Sequence, residues 1–393
     1  MKSESALLKA ICSCLPKKDF IALHEPNFIG NEWQYVKECI DTGWVSSVGK
    51  YVDQFEQKLV EFTGAKFAIA TSSGTAALHI CYLLAGVEVG DEVLTPTLTF
   101  VGTTNAINYC GAIPHFVDTE EKALGINAAV LDEYLSEISE QKNNICINKE
   151  TQRPIRALCV MHTLGHPVDL DVLEKVCQKY NIAMLEDAAE ALGSYYKGEH
   201  VGHRGRVGAL SFNGNKIITT GGGGAILTND KQLAKRAKHL TTTAKEPHPW
   251  LFQHDEVGYN YRLPNLNAAL GCAQLERLPE FLKAKRQLAK KYANAFEDYK
   301  EVRVLREPEY AKSNFWLNAI VLNNVSIRDG LIETLGKNNI MTRPIWNLQH
   351  TLPMYQHCPR MSLPVAESLQ KGILKLPSST QLAMPVVKEK VAQ

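Results

Sequence analysis

The sequence contains no apolar run approaching the ~18 residues that a membrane-spanning helix needs. It also lacks an excess of charge of either sign, because 43 lysines and arginines offset 42 aspartates and glutamates to a formal net charge of +1. A nearly neutral chain has no overall field that would draw it to nucleic acid or to an anionic membrane. We therefore expect neither of these as a partner.

Paired cysteines are missing as well. The ten cysteines are scattered singly, form no Cys-x-x-Cys motif and often lie in apolar runs, as buried free thiols do. This usage predicts a reducing, cytoplasmic location. The N-terminal segment MKSESALLKAICSCLPKKDF has a short apolar stretch that Lys9 interrupts, and no small-residue cleavage site follows. It predicts an arm or helix over residues 1–25 and not a signal peptide.

Between about residues 66 and 230, short apolar runs rich in strand-forming residues alternate with segments of helical periodicity. The strand-like runs, such as IRALCVMHT and IAMLED, are apolar throughout, which indicates a mostly parallel sheet covered by helices on both faces. Beyond about residue 255 comes a long helical stretch with a possible break at Pro279, followed by the strand-like pieces NFWLNAIVL and IMTRPIW. We predict an α/β fold with a large domain, 26–255, and a smaller C-terminal α+β domain, 256–393.

Polar loops follow several of these strands, and ligands of such sheets bind at the carboxyl ends of the strands. In TSSGTAAL a strand ends and a helix begins near Gly74. Its unpaired amides and the hydroxyls of Ser73 and Thr75 could bind a phosphate or carboxylate. An ordinary N-cap explains the same residues equally well.

Two ionisable residues stand at such strand ends. Asp187 directly follows an apolar strand, where a carboxylate is costly unless it meets a cation or hydrogen-bond donors, although a helix N-cap is an alternative. Lys216 lies in ALSFNGNKIITTGGGGAIL between apolar flanks. Burial disfavours an ammonium ion, and a neutral amine is what Schiff-base chemistry needs. Together with an anion site, this pair suggests pyridoxal 5′-phosphate, with the glycines at 221–224 passing close to cofactor and substrate.

The ordered motifs SSGTAALH, PTLTFVGTTNAI, HTLGHPVDLD, EDAAEALGS, SFNGNK, GGGGAI and GYNYRLPNLNAALG resemble the DegT/DnrJ/EryC1/StrS family of sugar-nucleotide aminotransferases. Members of that family are pyridoxal-phosphate enzymes of fold type I. The resemblance implies that Lys216 is the Schiff-base lysine and that Asp187 pairs with the pyridine nitrogen. It implies a stacking role for Phe100 and phosphate binding by Ser211 beside the Gly74 and Thr75 amides. The full implied cofactor set is Ser73, Gly74, Thr75, Phe100, Asp187, Glu190, Ser211, Lys216 and Asn260.

Two further expectations follow from the resemblance. Many members carry glutamine where this chain has Glu190, next to the phenolic oxygen of the cofactor, so we expect the pKa of Glu190 to be raised. Asn260 and Arg262 of GYNYR would reach the active site of a neighbouring subunit. The resemblance thus implies a homodimer with shared active sites.

Within the family, EDAAEALGS, SFNGNKIITT and GWVSSVGKYVDQFE resemble the branch that makes bacillosamine and legionaminic acid precursors. In that branch the nucleotide sugar would contact Gly43, Trp44, Val45, Ser46, Asn260 and Arg262. Arg343 and Trp346 in TRPIWN could contact substrate or simply pack the small domain, and the sequence leaves both possibilities open.

The predicted reaction moves an amino group from L-glutamate to carbon 4 of a nucleotide-linked 4-keto-6-deoxy, 2-acetamido hexose, for bacterial surface glycans or nonulosonic acid precursors. One alternative is a GDP-4-keto-6-deoxymannose aminotransferase of the perosamine type. A dehydratase of the same family would carry histidine in place of Lys216, which argues against that activity. A non-catalytic sugar-nucleotide-binding module stays a third alternative.

The histidine pairs give weak signals. His162 and His166 have the spacing of a helical zinc site, but the neighbouring glycine and proline make a helix unlikely there. His200 and His203 lie in a glycine-rich segment without nearby thiols or acids, which favours a surface loop over a ligand set. We therefore predict no metal site.

Overall fold

The structure is a computed structural model that describes residues 4–384. The helices are α1 (Glu4–Ser13), α2 (Glu32–Thr42), α3 (Lys50–Thr63), α4 (Gly74–Leu84), α5 (Val101–Tyr109), α6 (Ala128–Ile138), α7 (Leu170–Tyr180), α8 (Lys231–Thr241), α9 (Asn265–Ala295), α10 (Val325–Lys337) and α11 (Pro364–Gly372). The strands are β1 (Phe67–Thr71), β2 (Glu92–Pro96), β3 (Ile113–Val117), β4 (Ser139–Lys142), β5 (Ile145–Asn148), β6 (Ile155–Met161), β7 (Ala183–Asp187), β8 (Tyr195–Tyr196), β9 (Glu199–His200), β10 (Val207–Ser211), β11 (Gly224–Thr228), β12 (Val302–Val304), β13 (Ala311–Lys312), β14 (Asn318–Leu322), β15 (Arg343–Pro344) and β16 (Ile373–Leu376). None of these helices is long and apolar enough to cross a membrane.

The large sheet has seven strands in the order β1-β11-β10-β7-β6-β2-β3. Only β11 runs against its neighbours, so the remaining strands point the same way. Successive residues of β10 enter different cores: Ala209 packs with α4 and α8 residues, and Leu210 packs with α3 and α9 residues. Because helices cover both faces, each strand must be apolar throughout. The predicted α/β fold with a mostly parallel sheet is confirmed.

A second, antiparallel sheet has the order β12-β14-β16-β15. The strand predicted over IMTRPIW is shorter in the structure, where Arg343–Pro344 pairs with β16. The N-terminal α1 packs into the core of this part of the chain, where Leu7 and Ile11 join Leu331 and Leu335 of α10. The predicted domain limits at 25 and 255 stay predictions.

The long helix α9 runs without interruption from Asn265 to Ala295, so the break predicted at Pro279 is wrong. A proline inside a helix costs about 3 kcal/mol because it removes one backbone hydrogen bond and crowds the preceding turn. Here the flanking residues Leu278 and Phe281 are fully buried against the large core. Farther along, Leu288 and Tyr292 pack with α1 and α10. Packing on both sides of the proline outweighs its local cost.

Candidate active site

A cavity of about 290 Å³ lies at the carboxyl ends of the large sheet. The parallel strands β1, β7 and β10 end there, so their following loops meet at one edge. The ring of Trp346 and the indole of Trp316 close the opposite wall. Many of the residues predicted from sequence line this cavity: Ser73, Gly74, Thr75, Phe100, Asp187, Glu190, Ser211 and Lys216.

The start of α4 forms one end of the cavity. Ser73 is the N-cap, and its Oγ accepts a hydrogen bond from the Ala76 amide at 3.0 Å. The amides of Gly74 and Thr75 occupy the first turn, where a helix has no acceptor for them. A Cβ on Gly74 would come within 2.8 Å of the Ser211 Cβ, so glycine is what lets the Ser211 hydroxyl approach the helix. Ser73 is therefore an N-cap, and the remaining donors suit a phosphate group.

Asp187 is 2% exposed and ends β7 at the floor of the cavity. Thr103 Oγ1 donates to its Oδ2 at 2.6 Å, and the Ala189 amide donates to its Oδ1 at 3.1 Å. Burial raises the pKa of Asp187 despite these two hydrogen bonds, which lower it. A carboxylate in this position gains most from a cationic N–H facing it. The side chain caps a turn and does not begin an α-helix.

Lys216 stands in the turn that follows β10, where its amide donates to Asn213 O at 2.9 Å. Its side chain is only 12% exposed. The Nζ atom lies 3.4 Å from Glu190 Oε1 and 4.1 Å from the centre of the Trp316 ring. The polar turn thus directs the amine into the cavity. The apolar residues on either side of it, in β10 and at Ile217 and Ile218, are buried.

Glu190 is 3% exposed and is anchored by the Leu164 amide, which donates to its Oε2 at 2.8 Å. Burial is the main cause that raises the pKa of Glu190, and the nearby Lys216 charge opposes it. The direction agrees with the expectation from sequence. A carboxyl group that holds its proton can donate a hydrogen bond to an anionic oxygen, as a glutamine amide would.

Several cavity residues were missed by sequence reasoning. Thr103 lies one helical turn after Phe100, and a hydroxyl at that spacing was the only available signal. Asn215 and Trp316 are joined by a hydrogen bond from the indole Nε1 to the Asn215 carbonyl at 2.7 Å. They come from segments 101 residues apart in the chain, so no local pattern connects them.

Arg343 and Trp346, for which the sequence allows either substrate contact or packing, lie in different surroundings. Trp346 lines the cavity and contacts Phe100 edge-on, with ring centres 6.2 Å apart. The Arg343 side chain is exposed, and its Nη1 donates to the neighbouring Thr342 carbonyl. Of the two, only the tryptophan borders the cavity.

Six residues predicted to bind substrate do not line this cavity: Gly43, Trp44, Val45, Ser46, Asn260 and Arg262. The first four are exposed after α2. Asn260 is exposed beside Thr242, and Arg262 lies beside Thr71 at the end of β1. Their roles in substrate binding stay predictions.

His162 and His166 have different partners. His162 Nε2 pairs with the buried carboxylate of Glu186 at 3.0 Å, whereas His166 packs edge-on against Phe315. The surface position predicted for His200 is wrong: the residue is 3% exposed, and its Nε2 accepts from the Gly193 amide at 2.8 Å. Burial lowers the pKa of His200 to about 3.

The segment that follows His200 folds around a buried carboxylate. Glu186 accepts hydrogen bonds from the amides of Gly202, Arg204 and Gly205 at 2.7–2.8 Å. Burial raises the pKa of Glu186, but His162 and the Gly205 and Gly202 amides together lower it to about 2. His203, farther along the loop, is only partly buried.

The cavity fits pyridoxal phosphate in three respects. The α4 terminus and Ser211 offer donors to a phosphate, Asp187 offers a buried carboxylate to a pyridine N–H, and Lys216 offers an amine between them. The cofactor requires both an acid and an anion site in one cavity, because its ring nitrogen and its phosphate arm are separate polar groups on the same aromatic ring. Phe100 and Trp346 supply aromatic surface.

Known proteins agree with this arrangement. Residues 27–392 match the DegT/DnrJ/EryC1/StrS aminotransferase family. The GDP-perosamine synthase of Vibrio cholerae is 38% identical over 377 residues, 94% of this chain and 96% of the relative. The putative pyridoxal phosphate-dependent aminotransferase EpsN of Bacillus subtilis (strain 168) is 37% identical over 370 residues, 92% of each. The aminotransferase TlmJ from Streptoalloteichus hindustanus has a similar structure, with a TM-score of 0.82, 28% identity and coverage of 91% and 93%.

The match spans nearly the whole chain, and the cavity contains a helix start, a buried carboxylate and an amine that fit the cofactor. The chain therefore belongs to the DegT/DnrJ/EryC1/StrS aminotransferase family and is a pyridoxal-phosphate-dependent sugar aminotransferase.

Proposed function

We propose that this enzyme transfers an amino group from L-glutamate to carbon 4 of GDP-4-keto-6-deoxymannose. The observation that carries the transfer chemistry is the Lys216 amine, 3.4 Å from Glu190 in a cavity floored by Asp187. The 38% identity to a GDP-perosamine synthase supports a GDP-linked sugar. It favours the perosamine-type alternative over the bacillosamine and legionaminic acid branch that the short motifs suggest.

When bound, the cofactor supplies an electron sink for the carbon that gains or loses the amine. The Lys216 amine, held in the turn after β10, moves a proton between that carbon and the cofactor in each half of the reaction. Asp187 keeps the proton on the pyridine nitrogen, and the amides at the start of α4 fix the phosphate. The nucleotide of the substrate provides binding energy far from the reacting carbon.

The substrate assignment is tested by comparing two sugar nucleotides with glutamate as donor. We expect kcat/KM for GDP-4-keto-6-deoxymannose to exceed that for UDP-linked 2-acetamido-4-keto-2,6-dideoxyglucose by about 10-fold or more, since the sugar substituent and the base must both fit. Oxoglutarate release and mass spectrometry of the sugar product measure the two rates. A preference for the UDP sugar would contradict the proposal and restore the bacillosamine-type prediction.

A homodimer with shared sites is the second part of the proposal. Large apolar side chains are exposed on α2 and on the segments that follow α2 and α8, among them Trp33 (77%), Trp44 (58%), Trp250 (76%) and Phe252 (78%). Apolar surface of this kind is typical of protein interfaces. The same regions contain the predicted substrate residues that lie away from the cavity. A second copy of the chain is the partner that would bring them to a cavity.

Mixing two inactive variants tests shared sites. If Asn260 of one subunit serves the cavity of the other, a heterodimer of Asn260→Ala and Lys216→Ala has one intact site and one doubly defective site. Random equal mixing should then restore about a quarter of wild-type activity, because half of the dimers are mixed and half of their sites are intact. Differently tagged subunits establish the heterodimer content. No recovery in confirmed heterodimers would count against sharing through Asn260.

A further inference from the structure

Lys375 is a buried cation beside the cavity. It lies in β16, is 7% exposed, and its Nζ is 5.0 Å from the centre of the Trp346 ring that lines the cavity. Among residues 4–384, the favourable interactions recorded for this ammonium are the contact with the Trp346 ring and the charge of Glu190, with which it forms no ion pair. A buried ammonium is costly unless an anion meets it closely, so Lys375 would gain from an anion nearer than Glu190.

Lys375 belongs to the small sheet and lies next to Trp346, which lines the cavity. Arg343 is its register partner on β15, and Trp346 stands between Lys375 and the neighbourhood of Phe100. Burial lowers the pKa of Lys375 to about 8, with the charges of Arg343 and Lys216 adding to this and that of Glu190 opposing it. Two residues that line the cavity, Glu190 and Lys216, are thus close enough for their charges to act on Lys375.

The two substrates differ in the anion that they bring near the reacting carbon. A 4-keto-6-deoxy sugar has a methyl group and hydroxyls next to carbon 4, and its diphosphate is attached across the ring at carbon 1. The amino donor has a carboxylate on the reacting carbon and, in glutamate, a second carboxylate at the other end. The cofactor phosphate has donors of its own at the α4 terminus. The anion that would bind Lys375 is therefore a carboxylate of the amino donor.

We propose that Lys375 binds a carboxylate of the amino donor and so determines which amino acid the enzyme accepts. This inference rests on the proposed function, in which glutamate is the donor. The Lys375 ammonium faces the Trp346 ring in a cation–π contact and forms no ion pair with Glu190, whose charge acts on it. The charge-assisted contact forms only during the first half of the reaction, when the amino acid occupies the cavity.

The two half-reactions can be measured separately, because the cofactor absorbance changes when it gains or loses the amine. Lys375→Met keeps the stem and its burial but removes the charge. We expect kcat/KM of the glutamate half-reaction to fall about 10- to 100-fold, as for other buried charge contacts, and that of the sugar-nucleotide half-reaction to change less than about twofold. Lys375→Arg should recover part of the loss. Lys371→Met, on the exposed face of α11, is the matched control and should behave as wild type.

Binding gives a second readout that needs no turnover. Glutarate, a dicarboxylate without an amino group, should change the tryptophan fluorescence of the wild-type holoenzyme in a saturable way, and its dissociation constant should rise about 10-fold or more in Lys375→Met. Alanine as donor shows which carboxylate is bound: its rate falls with the variant if the α-carboxylate is the partner and is unchanged if the distal one is.

Two outcomes would overturn the inference. One is an unchanged glutamate half-reaction in Lys375→Met, and the other is an equal loss in both half-reactions, which would indicate a structural role. If the wild-type enzyme itself does not accept glutamate but does take another donor, the proposed function fails at that point and the test of Lys375 is repeated with that donor.

Discussion

Lys216→Ala should lose about 10⁴-fold or more of its turnover. Among residues 4–384, no other lysine lines the cavity and could move the proton. The loss should appear in both half-reactions, because the same amine acts in each. Stability should change little: the side chain donates to Glu190 at a long 3.4 Å and its removal leaves the backbone turn intact. Steady-state rates and single-turnover absorbance measure the effect.

A second measurement distinguishes the loss of the reactive amine from the loss of cofactor binding. Borohydride reduction should attach the cofactor to the wild-type chain and add its mass to the peptide containing Lys216, whereas Lys216→Ala should bind pyridoxamine phosphate but gain no mass. The exposed Lys235→Ala on α8 serves as the control and should retain full activity. Turnover near the wild-type rate in Lys216→Ala, or a label on another lysine, would remove the basis of the proposed function.

The part of the site that follows the large sheet could be predicted from sequence. Gly74, Asp187 and Lys216 each follow an apolar strand, and parallel strands bring their carboxyl ends to one edge. Their chemistry is also local: a helix start, an acid after a strand, and an amine in a polar turn. The order of these motifs in the chain was enough to indicate both the fold and the cofactor.

The opposite wall could not be predicted in this way. Trp316 lies in the segment just before β14 and Lys375 lies in β16, and both come near the cavity because this part of the chain packs against the core of the large sheet. No periodicity in the sequence shows which face of a short strand will point toward a distant loop. The errors at Pro279 and His200 have the same origin, since long-range packing outweighed a local signal in both cases.

The second large effect is expected at Asp187. Asp187→Asn keeps the size of the side chain and can still accept from Thr103, but it cannot hold a proton on the pyridine nitrogen by charge. We expect kcat to fall about 10³-fold, the loss typical of one preorganised electrostatic contact, together with weaker cofactor binding. Absorbance titration with pyridoxal phosphate and single-turnover kinetics measure the two effects. An active variant with normal cofactor affinity would mean that another group protonates the ring.

The stability of the cofactor-free protein shows whether that loss is chemical. The folded pKa of Asp187 is raised above its ordinary value, so its ionised form destabilises the fold once the pH passes through the range between the two values. Removing the charge should therefore leave the Tm of the cofactor-free protein unchanged or higher at neutral pH. Thr103→Val, which keeps the carboxylate but removes a hydrogen bond, should lose only about 10-fold in activity. A lower Tm for Asp187→Asn would indicate that the carboxylate supports the fold, and it would contradict the electrostatic explanation of the lost activity.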